Sequence, residues 1–285
     1  MAGHTAHLEA SPSRRTASLI IPREHGAWGL LLVPLLTGGV VGMLAEGNLL
    51  PLLAFTAAAL SLFWVRTPVE NFFGTGLLRV QTVQERRTVG AVILGLSAVA
   101  AGAMSSLLWN GRNRELVVFG LIAVFAFIAQ AFLRNLSRRT RMLSQVVGTI
   151  GLTVTAPAAY YVVTGELNRT ALALWMANLL FAGNQIHFVQ LRIHSARLSG
   201  WRQKLERGAG FLIGEVLLAF VLFASWYLHL LPAVAAVAFL PLLYRGTAWF
   251  FEAQKSLVVR RLGWGELVHA LAFGLLLISG FRLGS

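Results

Sequence analysis

Residues 20–39 read IIPREHGAWGLLLVPLLTGG. Arg23, Glu24 and His25 stand directly before a long apolar run. A charge is costly inside a bilayer and cheap at its edge, so the run reads as a first membrane span with a polar lip on its N-terminal side. The rest of the chain repeats this alternation. Runs of roughly 17 to 25 apolar residues, the length that crosses a bilayer as a helix, fall at 26–45, 48–65, 89–109, 115–133, 144–164, 170–190, 209–229, 232–249 and 264–283. The spacing predicts an all-α polytopic membrane protein with about nine transmembrane helices. Composition agrees: 56% of the 285 residues are hydrophobic and 12% are charged, against about a quarter charged in a soluble domain. Residues 1–20 are small and polar and read as a flexible cytoplasmic tail, leaving 21–285 as a single transmembrane helical domain.

Loop charge orients the chain. With nine spans, all of the 24 Lys and Arg residues except Arg112, Arg114, Arg169 and Arg282 fall on the side that carries the N-terminus. Cytoplasmic loops collect Lys and Arg, so the N-terminus is expected inside and the C-terminus outside, in a plasma or inner membrane. The net charge of +13 then describes a face directed at anionic lipid. The charge is spread over short loops, and no nucleic-acid partner is expected. All 11 acidic residues are Glu; the chain has no Asp and no Cys. Thiolate metal sites and aspartate-rich Mg²⁺ motifs are therefore excluded.

The polar residues near the spans share one depth. Glu24 and His25 open the first span, and Arg66, Glu70 and Asn71 follow the second. Asn184, Gln185, His187 and Gln190 end the sixth. Glu215 lies inside the seventh, roughly 10 Å deep at about 1.5 Å per residue. Glu266 and His269 open the ninth. Arg245 ends the eighth and counts as one of the inside-facing charges. An ionisable group within a span is a functional candidate. The pattern predicts a polar cavity open to the cytoplasm and closed outward by apolar packing, which disfavours a transporter.

Three segments carry the chemistry. In FAGNQIHFVQLRIHSAR, residues 181–197, His187, Gln190 and His194 share one helical face. The two imidazoles are about 10.5 Å apart along the axis, too far to share a metal. Arg192 and Arg197 offer guanidinium forks suited to phosphate. The alternative for residues 191–207 is a basic interfacial helix with Leu198, Trp201 and Leu205 toward lipid. In RTPVENFFG, residues 66–74, Glu70 is the acidic candidate, as a base or as one oxygen ligand of Mg²⁺, an ion that takes one or two carboxylates plus substrate phosphate. In WGELVHAL, Glu266 and His269 form a single Glu-x-x-His pair, half of what a di-iron bundle uses. No metal ligand set is assigned.

The opening PREHGAWGLLLVP, residues 22–34, closely resembles the signature of the YwiC-like membrane proteins. The chain is more distantly similar to the UbiA prenyltransferase superfamily. That resemblance implies a UbiA-like helical bundle with a cytoplasmic N-terminus, polar motifs after the second and sixth helices, and an isoprenoid or other lipid-phosphate substrate. UbiA enzymes hold Mg²⁺ and a prenyl diphosphate on Asp-rich motifs, whereas the corresponding stretches here, 66–71 and 184–197, contain none. The leading expectation is a prenyltransferase-like enzyme without that motif. Arg66, Asn71, Asn184, Gln185, Gln190, Arg192, His194, Arg197, Glu215, Glu266 and His269 would bind substrate. Glu70, His187, Glu24 and His25 would act as acid or base. The alternative is a non-catalytic binder or assembly factor for a lipid, a quinone or a haem-like cofactor.

Overall fold

The computed structural model describes residues 12–22, 25–45, 47–76, 78–109, 111, 114–136, 140–196, 198, 200–252 and 257–284. They form helices α1 (Pro12–Ile20), α2 (His25–Leu44), α3 (Leu49–Phe72), α4 (Val83–Trp109), α5 (Arg114–Leu136), α6 (Arg141–Thr153), α7 (Thr155–Thr164), α8 (Arg169–His194), α9 (Trp201–Tyr227), α10 (Ala233–Ala236), α11 (Leu240–Phe251) and α12 (Val259–Gly284). Among the described residues, eight stretches are long and apolar enough to cross a membrane: Leu49–Phe72, Val83–Trp109, Arg114–Arg134, Met142–Thr164, Arg169–His194, Trp201–Tyr227, Ala233–Phe251 and Val259–Gly284. The first expected span is α2, whose apolar part, Trp28–Leu44, is shorter than the other eight. Lipid offers the backbone no hydrogen bonds, so each crossing segment must satisfy its amides internally as a helix. Large apolar side chains such as Leu94, Phe125, Phe220 and Leu275 are exposed, as a lipid-facing surface requires.

Two of the expected spans are broken, each one turn before a proline. Proline lacks an N–H, and its ring clashes with the carbonyl four residues earlier. Pro157 therefore ends α6 at Thr153, and the Thr153 and Thr155 hydroxyls donate to the carbonyls of Thr149 and Leu152, at 2.9 and 2.6 Å. Pro241 stands four residues after Val237, where α10 passes through the 3-10 turn Val237–Phe239 into α11.

The chain forms two compact units, Met1–His25 with Leu53–Leu107, and Gly26–Leu52 with Leu108–Ser285. In the first, the segment expected as a tail contains α1. Leu19 is fully buried, and the C-terminal carbonyls of Leu19 and Ile20 accept from Asn71 Nδ2 (2.9 Å) and Trp64 Nε1 (3.0 Å). Orphan carbonyls at a helix end need such donors. Arg15 pairs with Glu85 at 2.7 Å. Thr82 and Glu85 cap α4 reciprocally: the Thr82 hydroxyl accepts from Glu85 N–H, and the Glu85 carboxylate accepts from Thr82 N–H.

In the second unit, α7 is buried on all sides from Thr155 to Val163. Gly38 and Gly42 let α2 lie against it, because a side chain at Gly38 would strike the Ala156 backbone. Thr37, fully buried on α2, accepts at its hydroxyl from Asn178 Nδ2 of α8 at 3.0 Å.

Asn71 also accepts from Leu78 N–H at its Oδ1, so one buried amide ties α1, the end of α3 and the following loop. Asn71→Ala is expected to cost about 1–3 kcal/mol. Hydrogen exchange should accelerate in α1 and in the loop around Leu78; unchanged protection in both would contradict this bracing role.

Candidate functional site

Four helices of the second unit carry the same sequence of layers. Along α8, Phe181 precedes Asn184 and Gln185, and Phe188 and Leu191 follow; along α11, Leu242 precedes Arg245, and Trp249 follows. The order is reversed on α9, where Phe211 precedes Glu215 and Leu218, and on α12, where Leu262 precedes Glu266 and Ala270. Phe181, Leu218, Leu242, Ala270 and Phe273 belong to one apolar cluster. Phe188, Leu191, Phe211 and Trp249 form a second, with Leu262 packed against it. A polar layer therefore lies between two apolar ones, and helices running in alternate directions reach it in opposite order.

Within that layer the side chains form a chain of contacts. Arg245 Nη1 makes an ion pair with Glu266 Oε2. Arg245 Nη2 donates to Asn184 Oδ1 at 3.3 Å, and Asn184 Nδ2 donates to Glu215 Oε1 at 2.7 Å. Gln185 Nε2 donates to the Glu266 carbonyl at 3.1 Å. The Arg245 guanidinium also lies 4.1 Å from the Phe188 ring centre, close enough for a cation–π contact. Glu215 and Glu266 are 4% and 7% exposed. Glu266 thus meets the guanidinium directly, and Glu215 is joined to it through Asn184. Glu215 Oε2 and Arg245 Nε have no hydrogen-bond partner among the described residues. Leaving a buried polar atom unmatched costs about 1–3 kcal/mol, more for a charged group.

Asn184, Gln185, Glu215 and Glu266, all expected to bind substrate, are brought together. The others named with them make separate contacts. His187 packs its ring edge-on against Phe211, with centres 5.2 Å apart. Gln190 donates to Gln145 Oε1 of α6 at 2.8 Å, and His194 Nδ1 lies 2.8 Å from its own helix's Gln190 carbonyl. His269 Nδ1 likewise meets the Gly265 carbonyl at 2.7 Å. Arg192 reaches Glu252 only at 3.8 Å. In the first unit, Glu70 accepts from Arg66 Nε one turn away, at 3.1 Å, and Asn71 is the brace described above. His25 begins α2; Glu24 and Arg197 lie outside the described residues. Among the described residues, no group of three or more His, Cys, Asp or Glu side chains is placed to hold a metal ion.

Two residues of the second unit escaped the sequence reading. In the sequence Arg245 reads as an orientation charge at the end of a span, yet it links the layer. The available signal was an arginine in LPLLYRGTAWF, with apolar residues on both sides. Lys204 falls in the expected interfacial helix but is 3% exposed. Its Nζ donates to the Trp249 and Glu252 carbonyls at 3.1 and 2.7 Å and so caps α11. Trp201, 60% exposed, does face outward.

These features describe a multi-pass helical membrane protein with a polar layer inside one helical unit. Residues 21–160 match the family model of the YwiC-like proteins, the family whose signature the PREHGAW motif resembles. Asn184, Glu215, Arg245 and Glu266 lie beyond the matched residues. A comparison with curated proteins gives no match to the chain.

Gly246 adjoins the layer. A methyl there would meet Glu215 Oε1 at 2.6 Å and Phe211 Cε1 at 2.9 Å. Gly246→Ala is expected to displace the carboxylate and cost about 1–3 kcal/mol by overpacking. Gly210→Ala, whose methyl meets no described atom within 4 Å, should leave stability nearly unchanged. Thermal unfolding in one detergent compares the two; equal midpoints would contradict the close approach of α11 to Glu215.

Proposed function

We propose that this protein binds an isoprenoid or comparable lipid-soluble molecule, with the tail among its apolar helices and the head at the Glu215–Asn184–Arg245–Glu266 layer. The observation that carries this reading is the buried layer with unmatched polar atoms on Glu215 and Arg245. Ionisable groups inside membrane spans are expensive and mark substrate or ion pathways. A layer enclosed above and below by apolar clusters suits recognition of a head group better than passage through the full bilayer. The basic loops lie against anionic lipid of a plasma or inner membrane, and the N-terminus is inside, in keeping with the loop charges.

A second reading makes the protein a UbiA-like transferase for a lipid phosphate. It is favoured by Arg192 and Lys204, two cations gathered at Trp249 with Glu252 as the nearby carboxylate. Mg²⁺ would then assist a head held mainly by basic side chains.

Photolabelling of the full-length protein in lipid nanodiscs tests the binding reading, using a photoactivatable prenyl alcohol and the matching diphosphate. Saturable labelling of peptides from α8, α9, α11 and α12, reduced at least about tenfold by Asn184→Ala, is expected. Labelling that never saturates with either probe would overturn the reading. Mg²⁺-dependent labelling by the diphosphate alone would favour the transferase.

A further inference from the structure

We propose that Glu215 and Arg245 recognise a hydroxyl, so that the ligand is a lipid-soluble alcohol or phenol. The inference rests on the binding reading above and specifies its head group. With Glu215 as a carboxylate, its Oε2 is an acceptor without a donor, and Arg245 Nε is a donor without an acceptor, among the described residues. One amide, that of Asn184, joins the two side chains, accepting from Arg245 and donating to Glu215. The two unmatched atoms are thus one of each kind, on side chains joined through Asn184.

Head-group chemistry separates the possible ligands. A phosphate or diphosphate only accepts; it would satisfy Arg245 Nε but set its charge beside Glu266, paired with that guanidinium, and Glu215, joined to it through Asn184. A quinone carbonyl also only accepts, leaving Glu215 Oε2 unmatched. An ammonium only donates, leaving Arg245 Nε unmatched. A hydroxyl donates one hydrogen and accepts through its lone pairs, so it matches the chemistry of both atoms. Its bond to a carboxylate would be charge-assisted and short. The Arg245–Glu266 ion pair keeps the guanidinium fixed without using Nε. Water has the same donor and acceptor chemistry as a ligand hydroxyl, and competition separates the two.

The test uses full-length protein in nanodiscs and competes the photolabel with geranylgeraniol, its methyl ether and its diphosphate. The alcohol should compete about tenfold better than the ether, equivalent to about 1.4 kcal/mol, because the ether cannot donate to Glu215. Glu215→Gln, which keeps the side-chain size, should reduce that preference to about twofold or less. Equal competition by alcohol and ether on the unmodified protein overturns the inference, because water then occupies the layer; saturable labelling would still support the binding reading. A diphosphate that competes better than the alcohol also overturns it. If Glu215→Gln fails to fold, the comparison of alcohol and ether on the unmodified protein decides alone.

Discussion

The ion pair between Arg245 and Glu266 is the contact on which the polar layer depends. An arginine inside a helical bundle in lipid is expensive unless a carboxylate meets it. Once that pair holds the guanidinium against the Phe188 ring, its second amino group can reach Asn184, and Asn184 can hold Glu215. Removing the pair would leave Arg245 without an opposite charge in direct contact and strand the rest of the layer. Four helices converge on it, and apolar clusters close it above and below. A fully apolar set of side chains in the same places would pack at lower cost, because desolvating charges often outweighs their attraction. The layer is therefore better explained by the binding role proposed for it than by the stability it adds.

Much of this was legible in the sequence because membranes constrain sequences strongly. Span length and the one-sided Lys and Arg distribution fixed the helix count to within the short α2 and gave a common depth for the polar residues. That depth drew attention to Asn184, Gln185, Glu215 and Glu266 before any contact was known. Arg245 was missed for a physical reason: basic residues at span ends usually report orientation, and sequence alone does not distinguish an arginine directed into the bundle from one reaching toward the head groups. Glu70 and Asn71 show the opposite limit. Both are polar and near a span, yet Glu70 pairs with Arg66 one turn away and Asn71 fastens α1. Residues 12–20 read as tail from composition, but one buried leucine, Arg15 and two receptive carbonyls suffice to hold them as a helix.

The family match and the polar layer fall on different stretches of the chain. Residues 21–160 contain PREHGAW, the α3–α4 turn and the first part of the buried α7, and the layer begins at Asn184. The two stretches still share physical contacts in the second unit: Thr37 of α2 accepts from Asn178, six residues before Asn184, and α7 packs against α8. The matched segment thus supplies part of the apolar wall against which α8 is positioned.

The most direct measurement compares unfolding free energies of the unmodified protein, Glu266→Leu alone, and a variant carrying Asn184→Leu, Glu215→Leu, Arg245→Met and Glu266→Leu together. Glu266→Leu alone should lose about 3–5 kcal/mol, because it leaves a buried arginine without its ion-pair partner. The fourfold variant should recover to within about 1 kcal/mol of the unmodified protein or exceed it, while losing lipid binding. If the fourfold variant is instead the least stable of the three, the polar layer is structural glue, and its assignment as a binding site is wrong.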